Sequence, residues 1–191
     1  MVSVNRLIIL LTGPSGVGKS TVIEHLLGID SRLRRMTVYT TRQKRDNDDK
    51  NHISLIHLMV LQQAGQVKIF RHYGSVYGEP IMEVLKTQQA GKVPIMDISV
   101  EFVDEWLRYV GGKSFVVYLF PESIPELKRR LQATGRDITG KRLEYTRQEL
   151  KAVRSGKYNS SINRFVTNRS SISTARSLLP ELRKVIDGSL K

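Results

Sequence analysis

The stretch Gly13-Pro14-Ser15-Gly16-Val17-Gly18-Lys19-Ser20-Thr21 decides the fold. It matches G-x-x-x-x-G-K-[ST], a loop whose backbone N–H groups converge on phosphate oxygens. Its glycines permit backbone conformations that a β-carbon disfavours. Lys19 supplies a positive charge for the β- and γ-phosphates, and the Ser20 hydroxyl suits Mg²⁺. We therefore predict nucleotide contacts from Gly13, Ser15, Gly16, Val17, Gly18, Lys19, Ser20 and Thr21.

The segments around this loop predict an α/β fold. Residues 7–11 are a continuous apolar run typical of a buried strand, and residues 21–27 carry apolar positions at helical spacing. Further apolar strands are predicted at 93–98, 114–120 and 164–167, separated by helical patterns, and Glu79-Pro80 is interpreted as the start of a helix. This alternation predicts a P-loop NTPase fold, a parallel sheet flanked by helices, with ligands beyond the carboxyl ends of the strands.

Composition predicts one domain that binds anions. The chain has 191 residues, 40% of them hydrophobic, and a formal net charge of +13. Basic residues concentrate at 32–45 and 128–157 without interleaved aromatic side chains, so small phosphorylated ligands are expected rather than nucleic acid. No apolar run approaches the roughly 20 residues of a membrane span. Because the sequence has no cysteine and no signal-peptide pattern, we expect a cytoplasmic protein; it carries no signal for an oligomeric state.

From residue 7 to about 168 the chain resembles the guanylate kinase family of P-loop phosphotransferases. After the P-loop, the resemblance rests on Thr40-Thr41-Arg42 with Arg45, on Tyr77-Gly78, on Asp97 at a strand end, and on Asn168 after a strand. The Arg130-Leu131 and Arg142-Leu143 pairs bracket a segment similar to the family's lid. The resemblance implies a core domain at 1–33 and 90–191, a short helical lid at about 131–143, and an acceptor-binding subdomain at 34–89.

The resemblance also implies a division of roles. ATP is the expected phosphoryl donor and Mg²⁺ the expected metal, held by Ser20 and Asp97, and Asn168 would contact adenine. Arg42, Arg45 and Tyr77 would bind the acceptor's phosphate, which suits the planar donors of arginine. The residues expected to act on the transferring group are Lys19, Arg136 and Arg142.

Two positions differ from the family where the acceptor's base would lie. Lys68 occupies the place of a guanine-recognising glutamate, and Ser99 that of an aspartate two residues after Asp97. Lys68, Ser99 and Asp97 are therefore expected at the acceptor site. GMP is the lead acceptor. The alternative is ribose 1,5-bisphosphate, the acceptor of a sister group of phosphokinases that Asn51-His52-Ile53 resembles. A non-catalytic, kinase-derived binding module is a third hypothesis, which the intact Lys19 and Ser20 disfavour.

Overall fold

The computed structural model describes residues 6–44, 49–72, 74–135, 137 and 140–188. Within them the strands are β1 (Leu7–Thr12), β2 (Leu33–Arg35), β3 (Tyr39–Thr40), β4 (Asn51–His52), β5 (Val67–His72), β6 (Ser75–Pro80), β7 (Val93–Asp97), β8 (Lys113–Pro121) and β9 (Arg164–Asn168). The helices are α1 (Lys19–Ile29), α2 (Leu55–Gln63), α3 (Met82–Gln89), α4 (Val103–Val110), α5 (Ile124–Ala133), α6 (Lys141–Arg154) and α7 (Ser171–Ile186). A short 3-10 turn at Val100–Phe102 precedes α4.

The central sheet is parallel and has the order β2-β7-β1-β8-β9. All six residues of β1 are buried. Because side chains alternate along a strand, Leu7, Ile9 and Leu11 enter one apolar cluster while Ile8 and Leu10 enter another on the opposite face. Helices α1, α5 and α7 cover the first face, and α3, α4 and α6 contribute to the second. The predicted parallel sheet flanked by helices is confirmed.

A second, smaller sheet has the order β4-β3-β6-β5. Strand β6 is antiparallel to β3 and β5, whereas β3 and β4 are parallel. Its small core contains Leu58, Val67 and Val76, with α2 packed on β5. Residues of this sheet and the carboxyl end of β7 line the same cavity, which is described below.

One predicted element start is wrong. The sequence pattern placed the beginning of a helix at Glu79-Pro80, but both residues lie in β6 and the helix begins at Met82. Proline cannot donate to a sheet ladder, and it is tolerated here because it is the last residue of its strand. Glu79 therefore has strand geometry and shares a sheet face with Tyr77, two residues before it.

Candidate active site

The P-loop joins β1 directly to α1, and two of its glycines are required by close neighbours. A β-carbon on Gly13 (φ 131°) would lie 2.4 Å from the Leu119 carbonyl oxygen. One on Gly18 (φ 101°) would lie 2.6 Å from Nδ2 of Asn168. Helix α1 begins immediately afterwards at Lys19. Its amino-terminal N–H groups and the positive end of its dipole therefore favour an anion in the loop.

Lys19 lies across the loop that it belongs to. Its Nζ donates hydrogen bonds to the carbonyl oxygens of Gly13 at 2.6 Å and Pro14 at 3.1 Å. Ser20 and Thr21, in the first turn of α1, line the same cavity as Lys19. The ammonium group is thus held at the P-loop. A positive charge at this place would stabilise negative charge that develops on phosphate oxygens.

A cavity of about 350 Å³ opens beside the P-loop. It brings together most of the residues that the sequence singled out, from the P-loop, from both sheets and from the first turn of α6. From that predicted set, the lining contains Gly13, Ser15, Gly16, Gly18, Lys19, Ser20, Thr21, Arg42, Tyr77, Asp97, Ser99 and Arg142.

Asp97 ends β7, in register with Leu11 of β1, and so lies next to the start of the P-loop. Its carboxylate is 3.5 Å from Nζ of Lys50, and both side chains are mostly buried. Burial raises the pKa of Asp97, but the positive charges of Lys50, Lys19 and Arg35 outweigh it and hold the pKa below its usual range. Asp97 therefore presents a charged carboxylate at the edge of the sheet.

One side of the cavity is formed by residues of the smaller sheet. Tyr77 lies opposite Thr40 in the β3–β6 pairing, and Arg42 follows β3. One Nη1 hydrogen bond of Arg42 goes to the Gln43 carbonyl at 3.3 Å, and the side chain lines the cavity. Arg45, the second predicted phosphate ligand, lies outside the described residues.

Arg142 approaches the P-loop from the start of α6. Its Nη1 donates to Oγ of Ser15 at 3.2 Å. The carboxylate of Asp137 accepts from the backbone N–H groups of Arg142 at 2.9 Å and Leu143 at 3.0 Å, which fixes the first turn of the helix. An acidic group at a helix amino terminus is also electrostatically favourable. Arg136, the other predicted lid arginine, lies outside the described residues.

Asn168 and Val17 lie behind the P-loop in the core. Asn168 is 1% exposed; its Nδ2 donates to the Val17 carbonyl at 2.7 Å, and its Oδ1 accepts from the Thr174 hydroxyl at 2.8 Å. Val17 is itself buried in the core. Both ends of the Asn168 amide are thus engaged within the protein. The structure places this residue as a support of the loop, away from the cavity lining.

Lys68 points away from the cavity although it lies on the cavity-facing side of β5. Its Nζ forms a salt bridge with Glu105 at 2.8 Å and donates a hydrogen bond to the Tyr109 hydroxyl at 2.9 Å. Both partners belong to α4. The hydrogen bond that Lys68 donates to Glu105 is the main cause that raises the pKa of Lys68. Ser99, by contrast, lines the cavity as predicted. Of the two substituted positions, only Ser99 is therefore among the residues that line the cavity.

Lys50 and Glu79 also line the cavity, although neither was among the predicted site residues. Burial lowers the pKa of Lys50, but the carboxylates of Asp97, Asp49 and Glu79 outweigh it and hold the pKa above its ordinary value. Glu79 is 5% exposed, and burial raises its pKa to about 8, partly offset by the charge of Lys50. Lys50 belongs to no recognisable motif, whereas Glu79 directly follows the Tyr77-Gly78 pair.

His72 and Glu149 line the cavity as well. Nδ1 of His72 lies 2.6 Å from Glu101, and this hydrogen bond lowers the pKa of Glu101. The Tyr118 hydroxyl donates to Glu149 at 2.8 Å, while burial raises the pKa of Glu149. His72, Ser99 and Glu149 also line a smaller adjoining cavity of about 220 Å³ beside α6. The site therefore continues beyond the P-loop cavity, and its far end is rich in hydrogen-bonding groups.

Comparison with known proteins gives concordant matches. The family model for guanylate kinase matches residues 4–168. A guanylate kinase from Jannaschia sp. (strain CCS1) is 33% identical over 141 residues, 69% of this chain and 63% of the relative, so that match spans less than two thirds of the relative's length. One from Parasynechococcus marenigrum (strain WH8102) is 30% identical over 151 residues, 75% of this chain and 82% of the relative.

Among solved structures, the crystal structure of guanylate kinase from Anaplasma phagocytophilum has a TM-score of 0.72 at 20% identity, covering 93% of this chain and 84% of that one. The fold and the sequence matches define the class as nucleoside-monophosphate-kinase-like P-loop phosphotransferases. Within that class, the chain belongs to the guanylate kinase family. Among the described residues, no helix is both long enough and apolar enough to cross a membrane.

Proposed function

We propose that the protein transfers the γ-phosphoryl group of ATP to the phosphate of a nucleoside monophosphate, with GMP as the lead acceptor. The observation that carries this proposal is the single cavity that the P-loop shares with Arg42 and Tyr77. Phosphoryl transfer depends on holding donor and acceptor in line among cations, and one continuous cavity suits that requirement. Guanylate kinase is also the name of the relatives described above.

The proposed roles follow from the positions of the cations. Lys19 would neutralise the β- and γ-phosphates of ATP, since its Nζ already lies at the loop. Arg142 would bind the transferring group from the α6 side, since its guanidinium reaches Ser15 of the loop. Arg42 and Tyr77 would hold the acceptor's phosphate so that its oxygen faces the γ-phosphorus. The nucleophile is a phosphate oxygen, so no separate general base is required.

Mg²⁺ is the proposed metal, with Ser20 and Asp97 as its protein ligands. The residues fit such an ion, because both line the cavity and the lowered pKa of Asp97 keeps its carboxylate charged. Magnesium prefers hard oxygen ligands and is commonly held by one or two protein groups together with substrate phosphates. When bound, it would neutralise charge on those phosphates.

We also propose the division into a core at 1–33 and 90–191, a lid at about 131–143, and an acceptor-binding subdomain at 34–89. The smaller sheet supports this division, because its four strands all fall between residues 39 and 80. The ends of the subdomain associate with the core: β2 pairs with β7, and Nε2 of Gln88 on α3 donates to the Leu7 carbonyl at 3.2 Å.

Ribose 1,5-bisphosphate remains a second candidate acceptor, favoured by one observation. Phe102 lines the cavity and stacks on Phe70 with ring centroids 4.4 Å apart, next to Ser99. With Lys68 directed towards α4, this part of the wall presents the ring of Phe102 and the hydroxyl group of Ser99. A sugar bisphosphate would need fewer base-specific partners there than a nucleotide does.

The test is a turnover screen with ATP and Mg²⁺ against GMP, dGMP, AMP and ribose 1,5-bisphosphate, following ADP formation. We expect GMP to be phosphorylated. Arg42→Ala should raise the KM of the acceptor about ten- to a hundredfold, because it removes a charge-assisted contact, while the KM of ATP changes little. Arg176→Ala, an exposed substitution on α7, is the matched control. Turnover of none of these acceptors would refute the proposal and favour a non-catalytic binding module.

A further inference from the structure

Strand β5 of the smaller sheet is attached by two ion pairs to the segment that begins α4. Because alternate residues of a strand point to the same side, Lys68 and His72 face the same way. Nζ of Lys68 lies 2.8 Å from Oε1 of Glu105, and Nδ1 of His72 lies 2.6 Å from Oε1 of Glu101. Glu101 belongs to the 3-10 turn and Glu105 to α4. The two pairs therefore link one side of β5 to one short segment of the proposed core.

An aromatic stack lies between the two ion pairs. Phe70 is buried in the apolar cluster on the second face of the core sheet, and its ring stacks on that of Phe102 with centroids 4.4 Å apart. The ring of His72 meets the edge of Phe102 at 5.5 Å, and Nζ of Lys68 lies 5.7 Å from the Phe70 centroid. A partly exposed ion pair alone contributes little to stability. Here both pairs adjoin a buried aromatic contact, and together these contacts form the β5–α4 network.

Within this network, Lys68 makes the longest connection along α4. Besides the pair with Glu105, its Nζ donates a hydrogen bond to the Tyr109 hydroxyl at 2.9 Å. Glu105 and Tyr109 are four residues apart on α4, so both lie on the same face of the helix. The lysine side chain is only 22% exposed, so it lies along the helix instead of extending into solvent. Lys68 therefore joins two successive turns of α4 to β5.

The β5–α4 network reaches the cavity through the pairing of β5 with β6. Phe70 lies directly opposite Tyr77 in the β5–β6 ladder, and Tyr77 lies opposite Thr40 of β3. Arg42 follows β3 and lines the same cavity as Tyr77. The place of β5 on α4 therefore determines how far Tyr77 and Arg42 lie from the P-loop.

We propose that Lys68 and Glu105 are positioning residues, which hold Tyr77 and Arg42 at a fixed distance from the P-loop before the acceptor binds. The inference rests on the proposed function, because it takes Arg42 and Tyr77 as the ligands of the acceptor's phosphate. Lys68 and Glu105 are not among the residues that line the cavity, so they act through β5 and β6. An acceptor then enters a site whose two sides are already in place, and its apparent affinity is higher for that reason.

Reversing the charge at each end of the ion pair tests this inference. Glu105→Lys and Lys68→Glu each place like charges opposite one another, whereas the double variant restores an opposite pair. We expect each single variant to raise the KM of GMP at least about threefold, since an attraction is replaced by a repulsion of similar size. The KM of ATP and kcat should change less than about twofold, because the P-loop is untouched. Glu122→Lys, the same charge change at an exposed position after β8, is the matched control.

The pattern across the variants separates positioning from direct contact with the acceptor. A positioning pair requires that the double variant return the KM of GMP to within about twofold of the unmodified protein. If Lys68 instead contacted the acceptor, Glu105→Lys alone would leave the KM of GMP unchanged, and the second substitution would not correct the first. A rise of less than threefold in either single variant, or a double variant no better than the single ones, would overturn the inference.

Distance measurements separate this inference from the proposed function. Because the chain has no cysteine, nitroxide labels can be attached at Gln63→Cys on α2 and Lys128→Cys on α5, both exposed positions. Without ATP or acceptor, we expect one narrow distance distribution for the otherwise unmodified protein and for the double variant, and a broader or longer one for each single reversal. If the distances follow this pattern but no acceptor is turned over, only the proposed function fails. Identical distributions in all four proteins would overturn the inference.

Discussion

Lys19 is the side chain that supplies the main positive charge in the proposed catalytic site. It lies at the first residue of α1, with its Nζ on the carbonyl oxygens of the loop. We predict that Lys19→Ala lowers kcat by at least about a hundredfold, the scale seen when a preorganised electrostatic contact to a transition state is lost. Because the side chain faces the cavity, its removal leaves no hole in the apolar core, and the midpoint of thermal unfolding should hardly change.

Steady-state turnover and thermal unfolding of the same preparation check this prediction. Lys128→Ala, an exposed lysine substitution on α5, is the control and should affect neither quantity. If Lys19→Ala retained activity within a few-fold of the unmodified protein, the P-loop would not be the phosphoryl-donor site.

Glu79 makes stability depend on pH in a direction unusual for an acid. Its pKa is raised by burial from 4.5 to about 8, so between these values the folded protein binds a proton that the unfolded chain has lost. The free energy of unfolding should therefore fall as pH rises through this window, by up to about 1.4 kcal/mol per pH unit from this residue. Below pH 4.5 both states are protonated and the slope from Glu79 vanishes.

Urea unfolding of the unmodified protein and of Glu79→Gln at pH 5, 6.5 and 8 measures this contribution by difference, which cancels the other titrating groups. The two proteins should diverge with rising pH, the glutamine variant losing less stability. Parallel pH profiles would show that Glu79 titrates alike in the folded and unfolded protein.

At the scale of elements, Asn168 joins the end of β9 to the P-loop and to α7. Its amide donates to Val17 and accepts from Thr174, and both contacts are buried. We predict that Asn168→Ala lowers the free energy of unfolding by about 1–3 kcal/mol, the cost of leaving a buried polar group without its partner. The KM of ATP should rise because the loop loses its support, while the preference for ATP over GTP should not change.

Chemical unfolding and a comparison of ATP with GTP as donors test both parts of this prediction. Asn159→Ala, an exposed asparagine after α6, is the control. Loss of the preference for ATP over GTP at unchanged stability would instead favour the adenine contact that the family resemblance implies for Asn168.

The elements that sequence predicted well are those whose signal is local. Strands β1, β7 and β8 are mostly apolar segments of five or more residues. These three strands and the shorter apolar pattern of β9 were found within about two residues of their predicted ends. Strands β2, β3 and β4 have two or three residues, too few for a period to show. Strand β6 was missed because Glu79-Pro80 suits a helix start, and only pairing with β5 selects the strand.

The same limit applies to the site. Lys19 and its neighbours were predicted because the motif is contiguous. Lys50 lies in the segment before β4, Glu79 in β6 and Asp97 in β7, and only the folded chain brings them together. The direction of a long side chain is equally invisible in sequence: Lys68 lies on the expected strand but turns to Glu105, a residue of α4 some 37 positions later.

At the scale of the whole molecule, two ion pairs connect the segment before β4 to the core sheet. Lys50 contacts Asp97 at the end of β7, and Asp49 pairs with Arg35 of β2. The first pair crosses the cavity wall between the proposed subdomain and the core, and it is mostly buried. Removing one partner of such a pair leaves an uncompensated charge, which costs more than the pair itself contributes.

We therefore predict that Lys50→Met lowers the free energy of unfolding by about 1–3 kcal/mol, since the buried carboxylate of Asp97 would lose the cation that is paired with it. Lys50→Arg should restore most of the loss because it returns the charge. Urea unfolding at pH 7 is the measurement, with Lys44→Met, an exposed lysine in the preceding segment, as control. If Lys50→Met were as stable as the control, the contact would behave as an exposed surface pair worth little, and the connection between the two sheets would rest on other contacts.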